Sequence, residues 1–399
     1  MKRPHIVIVC GILHPNPSAT GLCAYRYASL LENTCDLEFI ALSSNGKEEI
    51  TQYEGFPVHT LSCPRLNWEH RTTGILNRGI HLLGSFQLKL SKLGSLGWYA
   101  QASYNKLEEI HQTNPIDGVL TICSPFSAHL GGKKFKEKHP NIRFCAYTVD
   151  IYASKDRIRP FFCTLNDFIK LEKQICKATD CLLLSEEAVN TRQDIYGDIH
   201  NKMALPYLLP KCNREPGGYF NDLKIHCVYA GSFYQDLRNP EFMLKAFSTL
   251  NEDNFVLHLY SAGCDNLVRT YSSNNTNILS HGYVSQRELK RIYASCDFLF
   301  GVGNATNDFL PSKTYEYLSL RRPIVFFNPK GFSNQVLRKY PHSLQLSDDM
   351  PIKLAAERLN DFLIQEKGKI IRETELNRIY ESNTDSHVRQ ILLKALQLK

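Results

Sequence analysis

The chain has 399 residues, more than the roughly 250 to 300 that one hydrophobic core usually supports, so two domains are expected. Its 43% hydrophobic and 22% charged residues are ordinary for a soluble globular protein and exclude extensive disorder. The formal charge of +7 is modest at this length, so it favours small anionic ligands or a lipid surface as partners over nucleic acid.

Cysteine usage and hydropathy favour a cytoplasmic protein. The 13 cysteines form no Cys-x-x-Cys pair, which argues against both a disulfide framework and a zinc site. The first apolar run ends at Leu13 and is too short for a signal peptide or a membrane helix. No later run reaches the roughly 18 apolar residues that a membrane-spanning helix needs.

Strand-like runs alternate with helix-length segments along the first half of the chain. These runs are IVIVC from Ile6, LEFIAL from Leu37, GVLTIC from Gly118, RFCAYTVD from Arg143 and CLLLS from Cys181. Such alternation predicts βαβ units around a parallel sheet.

The same pattern starts again in the second half, with HCVYAG from His226, VLHLYSAG from Val256, ILSHGYV from Ile278, FLFGVG from Phe298 and PIVFF from Pro323. Between the two series, LPYLLPKCNREPGGYFND is rich in Pro, Gly and Asn and is the best candidate for a linker. We therefore predict an α/β fold of two Rossmann-like, doubly wound domains, residues 1–210 and 211–380, facing across a cleft. A C-terminal helix in residues 381–399 is expected to pack on the N-terminal domain through apolar residues at helical spacing.

One helix start in the second half carries residues suited to a phosphate ligand. In LPSKTYEYLSL, from Leu310, the first turn exposes unpaired backbone N–H groups at the positive end of the macrodipole, and Lys313 adds a full charge. Ser312 and Glu316 are four residues apart and share a helical face, so the phosphate and ribose of one nucleotide could contact both. An ordinary helix with a Lys313–Glu316 surface pair is the alternative.

Several segments in a fixed order resemble a known family. They are PSATG from Pro17, YAGSFYQDLRNPEFMLKAF from Tyr229, HGYVSQRELKRIYASCDFLFGVGN from His281 and LPSKTYEYLSLRRPIVFF from Leu310. Together they resemble retaining glycosyltransferases of the GT-B fold, most closely the family 4 type that builds bacterial capsule, O-antigen and other surface polysaccharides. The resemblance implies an acceptor-binding domain in residues 1–210 and a donor-binding domain, for a nucleotide sugar, in residues 211–380.

In this family the donor diphosphate lies at a helix start, and a glutamate binds the ribose. Glu316 matches that glutamate. The residues that match the phosphate-binding turn are Pro311, Ser312, Lys313 and Thr314.

Two positions depart from the family pattern. Asp308 replaces the glutamate that commonly stands eight residues before the ribose glutamate, near the sugar hydroxyls. Ser232 stands where an arginine is common, so the resemblance leaves Arg238 to carry the diphosphate together with Lys313; an exposed loop position is the alternative for Arg238. Tyr283 is a candidate contact to the base, and a purely structural role for its segment is the alternative.

The first half contributes fewer candidates. Gly21 stands where the family has a glycine-rich turn before its first helix, close to the sugar and the acceptor. Ser124 and His129, in CSPFSAHLGG, match the segment that faces the cleft, although a structural role for His129 is equally open. Asp150, at the carboxyl end of a predicted strand, could orient an acceptor hydroxyl.

The resemblance implies transfer with retention of configuration, in which the leaving phosphate helps to deprotonate the acceptor and no protein nucleophile is required. Catalysis then consists of positioning and of stabilising charge on the diphosphate. Asp308, His129 and Asp150 are the catalytic candidates. Because the chain has no Asp-x-Asp motif, we predict that the reaction needs neither a metal ion nor a cofactor, the nucleotide sugar being a substrate.

Residues 70–106 contain no acidic side chain and carry lysines and arginines, including Lys89 and Lys92, among apolar residues. Such a basic amphipathic segment can rest on an anionic bilayer, which would bring the site to a lipid-linked saccharide acceptor. We therefore predict peripheral membrane contact from the cytoplasm. Packed helices with a solvated basic face are the alternative.

Three other functions stay open at this point. An inverting transferase or a nucleotide-sugar epimerase would need a catalytic acid–base pair, which the sequence does not identify. A degenerate transferase that acts as a binding or scaffold subunit is favoured by Ser232 and Asp308 and disfavoured by Lys313 and Glu316. A nucleic-acid binder is disfavoured by the small charge excess.

Overall fold

The computed structural model describes residues 2–15, 17–62, 97–149, 151–153, 164–210, 218–305 and 313–398. The chain divides into two compact units. The first unit contains Met1–Leu208 together with Asp385–Lys399, and the second unit contains Leu209–Thr384.

The first unit is built around a mostly parallel sheet. Its strands are β1 His5–Ile12, β2 Asp36–Leu42, β3 Glu49–Tyr53, β4 Phe56–Leu61, β5 Gly118–Cys123, β6 Arg143–Thr148, β7 Cys181–Leu184 and β8 Lys202–Ala204. Its helices are α1 Ala19–Ser29, α2 Gly97–Thr113, α3 Ser127–Lys138, α4 Leu165–Ala178, α5 Glu186–Thr191, α6 Gln193–Tyr196 and, near the chain end, α13 Asp385–Leu396. Among the described residues the strand order is β3-β4-β2-β1-β5-β6-β7-β8, and only the β3–β4 hairpin is antiparallel.

The second unit is built around a parallel sheet. Its strands are β9 Ile225–Ser232, β10 Phe255–Ala262, β11 Ile278–Ser280, β12 Phe298–Val302, β13 Ile324–Asn328 and β14 Ser343–Ser347. Its helices are α7 Glu241–Phe247, α8 Asp265–Asn274, α9 Gln286–Ser295, α10 Lys313–Leu320, α11 Ile352–Glu366 and α12 Glu373–Ile379. The described strands lie in the order β11-β10-β9-β12-β13-β14.

Burial explains why the strands of the sequence are apolar without interruption. Every residue of β5 and of β12 is buried. In β1, Val7 and Val9 pack into a core on one face of the sheet, while Ile6 and Ile8 pack into a second core on the other face. A parallel sheet covered on both faces requires such strands, because neither face meets water.

Each of the ten runs that the sequence predicted as strands contains a strand, although in ILSHGYV only Ile278–Ser280 forms one. The predicted fold class of two Rossmann-like α/β domains is confirmed. The four strands that the sequence did not predict are β3, β4, β8 and β14.

The C-terminal helix packs on the sheet of the first unit. Val388 and Leu392 of α13 are buried in the same core as Ile6 and Ile8. At the end of the helix, the Arg143 guanidinium donates from Nε to the carbonyl oxygen of Ala395 over 2.9 Å, which satisfies one of the carbonyl groups that a helix end leaves unpaired.

Within the described residues, no helix is both long enough and apolar enough to cross a membrane. Most of the basic amphipathic segment, including Lys89 and Lys92, falls in residues 63–96, which lie outside the described ranges. Its last residues form the start of α2, where Tyr99 is buried.

Candidate functional site

The second sheet has a topological switch point between β9 and β12. From β9 the chain proceeds to β10 and β11 on one side, and then returns to place β12, β13 and β14 on the other side. In open parallel sheets, ligands bind outside the carboxyl ends of the strands at such a point, because the connections diverge there and leave a crevice. The segments that follow β9 and β12 are therefore the first place to search for a site.

A side-chain link joins these two segments. The Arg238 guanidinium donates to Asn304 Oδ1 from Nε over 3.1 Å and from Nη2 over 2.9 Å. It also donates from Nη1 to the carbonyl oxygen of Ser232 over 3.3 Å. Asn304 is buried two residues after the end of β12, and Arg238 is half-buried. The arginine predicted from the sequence thus lies at the switch point, and it is anchored rather than free in an exposed loop.

The backbone around Arg238 is equally constrained. Tyr234 and Arg238 bond each other in both directions, with N···O distances of 3.1 and 2.7 Å. The Ala305 N–H donates to the Leu237 carbonyl over 2.7 Å, which ties the loop to the segment after β12. Gly231, which precedes Ser232 at the end of β9, has φ +155, a conformation that L residues rarely adopt.

The start of α10 carries a second cation. Lys313 Nζ lies 2.8 Å from Glu316 Oε2, with 31% and 29% of the two side chains exposed. The same ammonium lies 3.4 Å from the Tyr293 hydroxyl and 5.8 Å from the centroid of its ring. The Lys313–Glu316 surface pair that the sequence offered as the alternative is therefore present.

Contacts inside the second unit fix the position of α10. The Tyr317 hydroxyl accepts from the Ala230 N–H over 3.3 Å, which attaches the helix to β9 near its carboxyl end. Thr314 Oγ1 accepts from Asn334 Nδ2 over 2.9 Å, and both side chains are buried. The Asn334 carbonyl in turn accepts from Gln345 Nε2 over 3.0 Å. The Thr314 side chain is thus a buried anchor of the first turn, and the predicted phosphate contact of this residue stays a prediction.

Asp308, Pro311 and Ser312 lie outside the described residues, so their predicted roles stay predictions. Tyr283 follows β11 in the loop that leads into α9 and is 85% exposed. This exposure is incompatible with the structural alternative in which the ring fills the core. Gly282 beside it has φ +69, and this left-handed conformation turns the chain there.

In the first unit, Gly21 is the third residue of α1 rather than part of a turn before it. Its N–H donates to the capping Ser18 Oγ over 3.1 Å. A Cβ at this position would collide with the Ile12 carbonyl oxygen, so glycine allows the helix to approach the end of β1. Thr20 Oγ1 donates to the Ser124 carbonyl over 3.0 Å, across the switch point between β1 and β5.

His129 lies in the interior of the first unit. Its Nδ1 is 2.7 Å from Thr121 Oγ1, its Nε2 is 3.4 Å from Thr148 Oγ1, and the side chain is fully buried. Burial lowers the pKa of the imidazole to about 3, so the ring is neutral at physiological pH. This geometry favours the structural role over a catalytic one. Asp150 lies outside the described residues.

The arrangement in the second unit can bind an anion and a diol. Arg238 and Lys313 supply positive charge, and Glu316 supplies an acceptor one turn along α10. Among the residues that the structure describes, no group of three or more His, Cys, Asp or Glu side chains is placed to hold a metal ion. The sequence did not identify Asn304 as a site residue. The one feature that could have pointed to it is its position just beyond the end of a buried strand.

Comparisons with known proteins concern the fold. No family model matches the chain, and no curated protein matches its sequence. Among solved structures, sucrose-phosphate synthase from Thermosynechococcus elongatus is similar at TM-score 0.68 and 11% identity, over 99% of this chain and 98% of that one.

Two further structures are similar over nearly their whole length. The UDP-forming α,α-trehalose-phosphate synthase from Burkholderia xenovorans, in complex with glucose-6-phosphate, has TM-score 0.65 and 12% identity, over 98% of this chain and 100% of that one. The lipopolysaccharide outer core galactosyltransferase WaaB has TM-score 0.59 and 12% identity, over 98% of this chain and 99% of that one. Identities this low show the fold alone, which is that of GT-B glycosyltransferase structures.

Proposed function

We propose that this chain is a glycosyltransferase that moves a sugar from a nucleotide-sugar donor to a saccharide acceptor. The observation that carries the proposal is the Lys313–Glu316 pair in the first turn of α10, on a helix that Tyr317 attaches to β9 beside the switch point. A helix start with an adjacent cation suits a diphosphate, and a carboxylate one turn along suits a ribose diol. The similar transferase structures support the same assignment.

The Lys313–Glu316 ion pair is weak enough for a ligand to replace it. A partly exposed Lys–Glu pair contributes only about 0 to 1 kcal/mol, so a diphosphate can attract Lys313 away from Glu316 at little expense. The released carboxylate is then an acceptor for the ribose hydroxyls. The same pair can therefore exist in the free protein and serve a nucleotide when it binds.

A calorimetric and thermal-shift panel tests the donor site. The native chain and the variants Glu316→Ala and Lys313→Ala are titrated with UDP, GDP, ADP, CMP and their sugars. One nucleotide should stabilise the native chain, and each variant should bind it about tenfold or more weakly, because each loses a hydrogen bond that involves a charged group.

Glu373→Ala is the matched control. Glu373 is also an acidic residue in the first turn of a helix of the second unit, and it lies 3.5 Å from the basic group of Arg321. It should leave nucleotide affinity unchanged. Absence of binding by every nucleotide, or equal losses in Glu373→Ala and Glu316→Ala, would contradict the proposed function.

The proposal extends to retention of configuration and to independence from metal ions. The chain lacks an Asp-x-Asp motif, and Arg238 and Lys313 are cations able to stabilise charge on a leaving diphosphate. Once the donor is known, NMR of the product gives its anomeric configuration, and the rate in excess chelator tests the need for metal. An inverted product or loss of activity in chelator would reject the corresponding part.

For the acceptor we propose a lipid-linked saccharide used in the synthesis of a surface polysaccharide, with the basic segment of residues 70–106 in peripheral contact with the membrane. The support is the charge pattern of that segment together with the likeness to WaaB, a lipopolysaccharide galactosyltransferase by its name. Neutralising Lys89 and Lys92 should reduce sedimentation with anionic vesicles. Equal sedimentation of the native and neutralised chains would defeat the membrane proposal.

A further inference from the structure

Among the described residues, the cation at the switch point donates its hydrogen bonds to neutral acceptors. Arg238 bonds Asn304 Oδ1 through Nε and Nη2, and it bonds the Ser232 carbonyl through Nη1. In the part of the chain that the structure describes, no carboxylate lies within ion-pair distance of Arg238. Within the described residues, its charge is therefore fixed in position and has no acidic partner.

The amide of Asn304 differs from the carboxylate that would anchor an arginine most strongly. A carboxylate would add the attraction of opposite charges to the contact, and aspartate has nearly the same shape as asparagine. An aspartate at position 304 would bind the guanidinium more tightly, but it would also cancel the charge. An amide oxygen fixes the orientation of the guanidinium and leaves its field available to an anion.

The surrounding backbone also holds Arg238 in place before any ligand binds. The reciprocal bonds between Tyr234 and Arg238 close the loop, and the bond from the Ala305 N–H to the Leu237 carbonyl joins it to the segment that carries Asn304. Donors fixed in advance bind an anion without the entropic penalty of ordering a long side chain. A cation at a switch point that is anchored twice, and with which no described carboxylate pairs, has the properties of a built anion site.

We propose that Asn304 is a positioning residue that holds the Arg238 guanidinium, without neutralising it, against the diphosphate of the donor. This inference rests on the proposed function for the identity of the ligand. It adds a residue that touches no substrate in this role and acts only through Arg238.

The test is a double-mutant cycle read by calorimetry. The variants are Asn304→Asp, Asn304→Ala, Arg238→Ala and the two double variants, and the probes are inorganic pyrophosphate, UDP, GDP and ADP. Asn304→Asp should weaken diphosphate binding about tenfold or more, because its carboxylate neutralises the arginine, and Asn304→Ala should weaken it less. In the Arg238→Ala background Asn304→Ala should have no further effect, because the amide then has no guanidinium to position.

Two readouts separate positioning from a general structural defect. The dependence of affinity on salt should become shallower in Asn304→Asp and in Arg238→Ala alike, because one cation is lost from the site in both. Asn277→Ala is the control for removal of a buried amide, since Asn277 is buried at the amino end of β11. It should leave both affinity and salt dependence unchanged. If one Asn304 variant fails to fold, the other still provides the cycle.

The outcomes separate this inference from the proposed function. The inference is overturned, and the function left standing, if Asn304→Asp binds nucleoside diphosphates as tightly as the native chain does. The same follows if Asn304→Ala weakens binding as much in the Arg238→Ala background as in the native chain. Pyrophosphate binding that depends on both residues, without binding of any nucleoside diphosphate, supports the inference and rejects the function. If no probe binds the native chain, both are overturned.

Discussion

In the first sheet, the Glu38 side chain joins two histidines of neighbouring strands in one charged cluster. Its carboxylate in β2 lies 2.5 Å from His5 Nε2 in β1 and 2.6 Å from His59 Nε2 in β4, and these three strands are neighbours. Burial alone would raise the pKa of the Glu38 carboxyl, but the hydrogen bonds from His5 and His59 outweigh burial and hold this pKa at about 2. Burial alone would lower the pKa of His5, yet the bond to Glu38 raises it.

These shifts predict how the cluster depends on pH. Because the folded pKa of Glu38 is depressed, its contribution to stability is complete above its unfolded value of 4.5 and is lost as the pH falls toward 2. Because the folded pKa of His5 is raised, its contribution is complete below 6.5 and is lost as the pH rises through the folded value. Glu38→Gln should therefore lower the free energy of unfolding by about 2 kcal/mol near pH 5.5, and by less at pH 3 and at pH 9.

Chemical denaturation at the three pH values measures this difference. Glu32→Gln is the control, since it removes an exposed carboxylate from the same unit. If Glu38→Gln lowered the free energy of unfolding equally at all three pH values, the stability of the cluster would not depend on the charges of Glu38 and His5.

At the residue scale, sequence predicts a site best where a motif has fixed spacing. Lys313 and Glu316 are three residues apart on one helix, so their proximity follows from helix geometry alone. Asn304 and Arg238 are 66 residues apart, and they meet only because β9 and β12 are neighbours in the sheet. That adjacency is a property of strand order, which no local pattern reveals.

At the scale of elements, three neighbouring strands of the second unit share a chain of imidazoles. His226 Nε2 lies 2.8 Å from Asp222 Oδ1, His226 Nδ1 lies 2.9 Å from His258 Nε2, and His258 Nδ1 lies 3.0 Å from His281 Nε2. The first two histidines belong to β9 and β10, and the third follows β11. With Asp222 as the terminal acceptor, a proton on Nε2 of each ring gives every contact one donor.

A proton added to Nδ1 of His226 or of His258 would set two N–H groups against each other. Burial, followed by repulsion from His281 and His226, lowers the pKa of His258 to about 3, and burial also lowers the pKa of His281. Folded pKa values below the ordinary 6.5 mean that the unfolded chain binds more protons, so stability is lost as the pH falls from 6.5 toward 3. The titratable groups around the ladder are Asp222, Glu288, Tyr219 and Tyr260.

His258→Phe should expose this dependence. At pH 7.5 the variant should be less stable than the native chain by about 2 kcal/mol, because two hydrogen bonds disappear while ring packing is kept. Between pH 7.5 and pH 4.5 the free energy of unfolding of the native chain should fall by about 2 kcal/mol more than that of the variant. The stabilities of the two proteins should therefore converge. Calorimetric unfolding from pH 4.5 to 7.5 measures the difference, with the exposed His200→Gln as the control. Parallel curves for native and His258→Phe would refute the expected role.

The strands that could not be predicted from the sequence are short or lie near a sheet edge. β8 has three residues, and β14 alternates polar with apolar residues at the edge of the second sheet. The β3–β4 hairpin turns at Glu54 and Gly55, both with positive φ, which is a recognisable two-residue turn. Its strands lack the continuous apolar run of buried parallel strands, because β3 is largely exposed.

At the scale of the whole molecule, the restart of the strand pattern after the Pro- and Gly-rich segment was enough to predict two α/β units. The first unit nevertheless contains both ends of the chain, Met1–Leu208 and Asp385–Lys399. The packing of the C-terminal helix on the first unit was predictable, because α13 is amphipathic and needs a surface to cover its apolar face. The contacts that hold it were not predictable, since Arg143 and Ala395 are 252 residues apart.

The stability of the first unit should therefore depend on α13. Leu392 is buried in the core of that unit, and Arg389 Nε donates to the Leu30 carbonyl over 3.1 Å. Leu392→Ala should lower the free energy of unfolding of this unit by about 2 to 5 kcal/mol, because it removes buried methyl groups and leaves a cavity. Gln390→Ala, on the exposed face of the same helix, should change it by less than about 0.5 kcal/mol.

Hydrogen exchange should show the loss of protection in β6 and β7, the strands against which α13 packs. Equal effects of the two substitutions, or full protection of β6 in Leu392→Ala, would mean that the returning helix does not stabilise the unit that contains both chain ends.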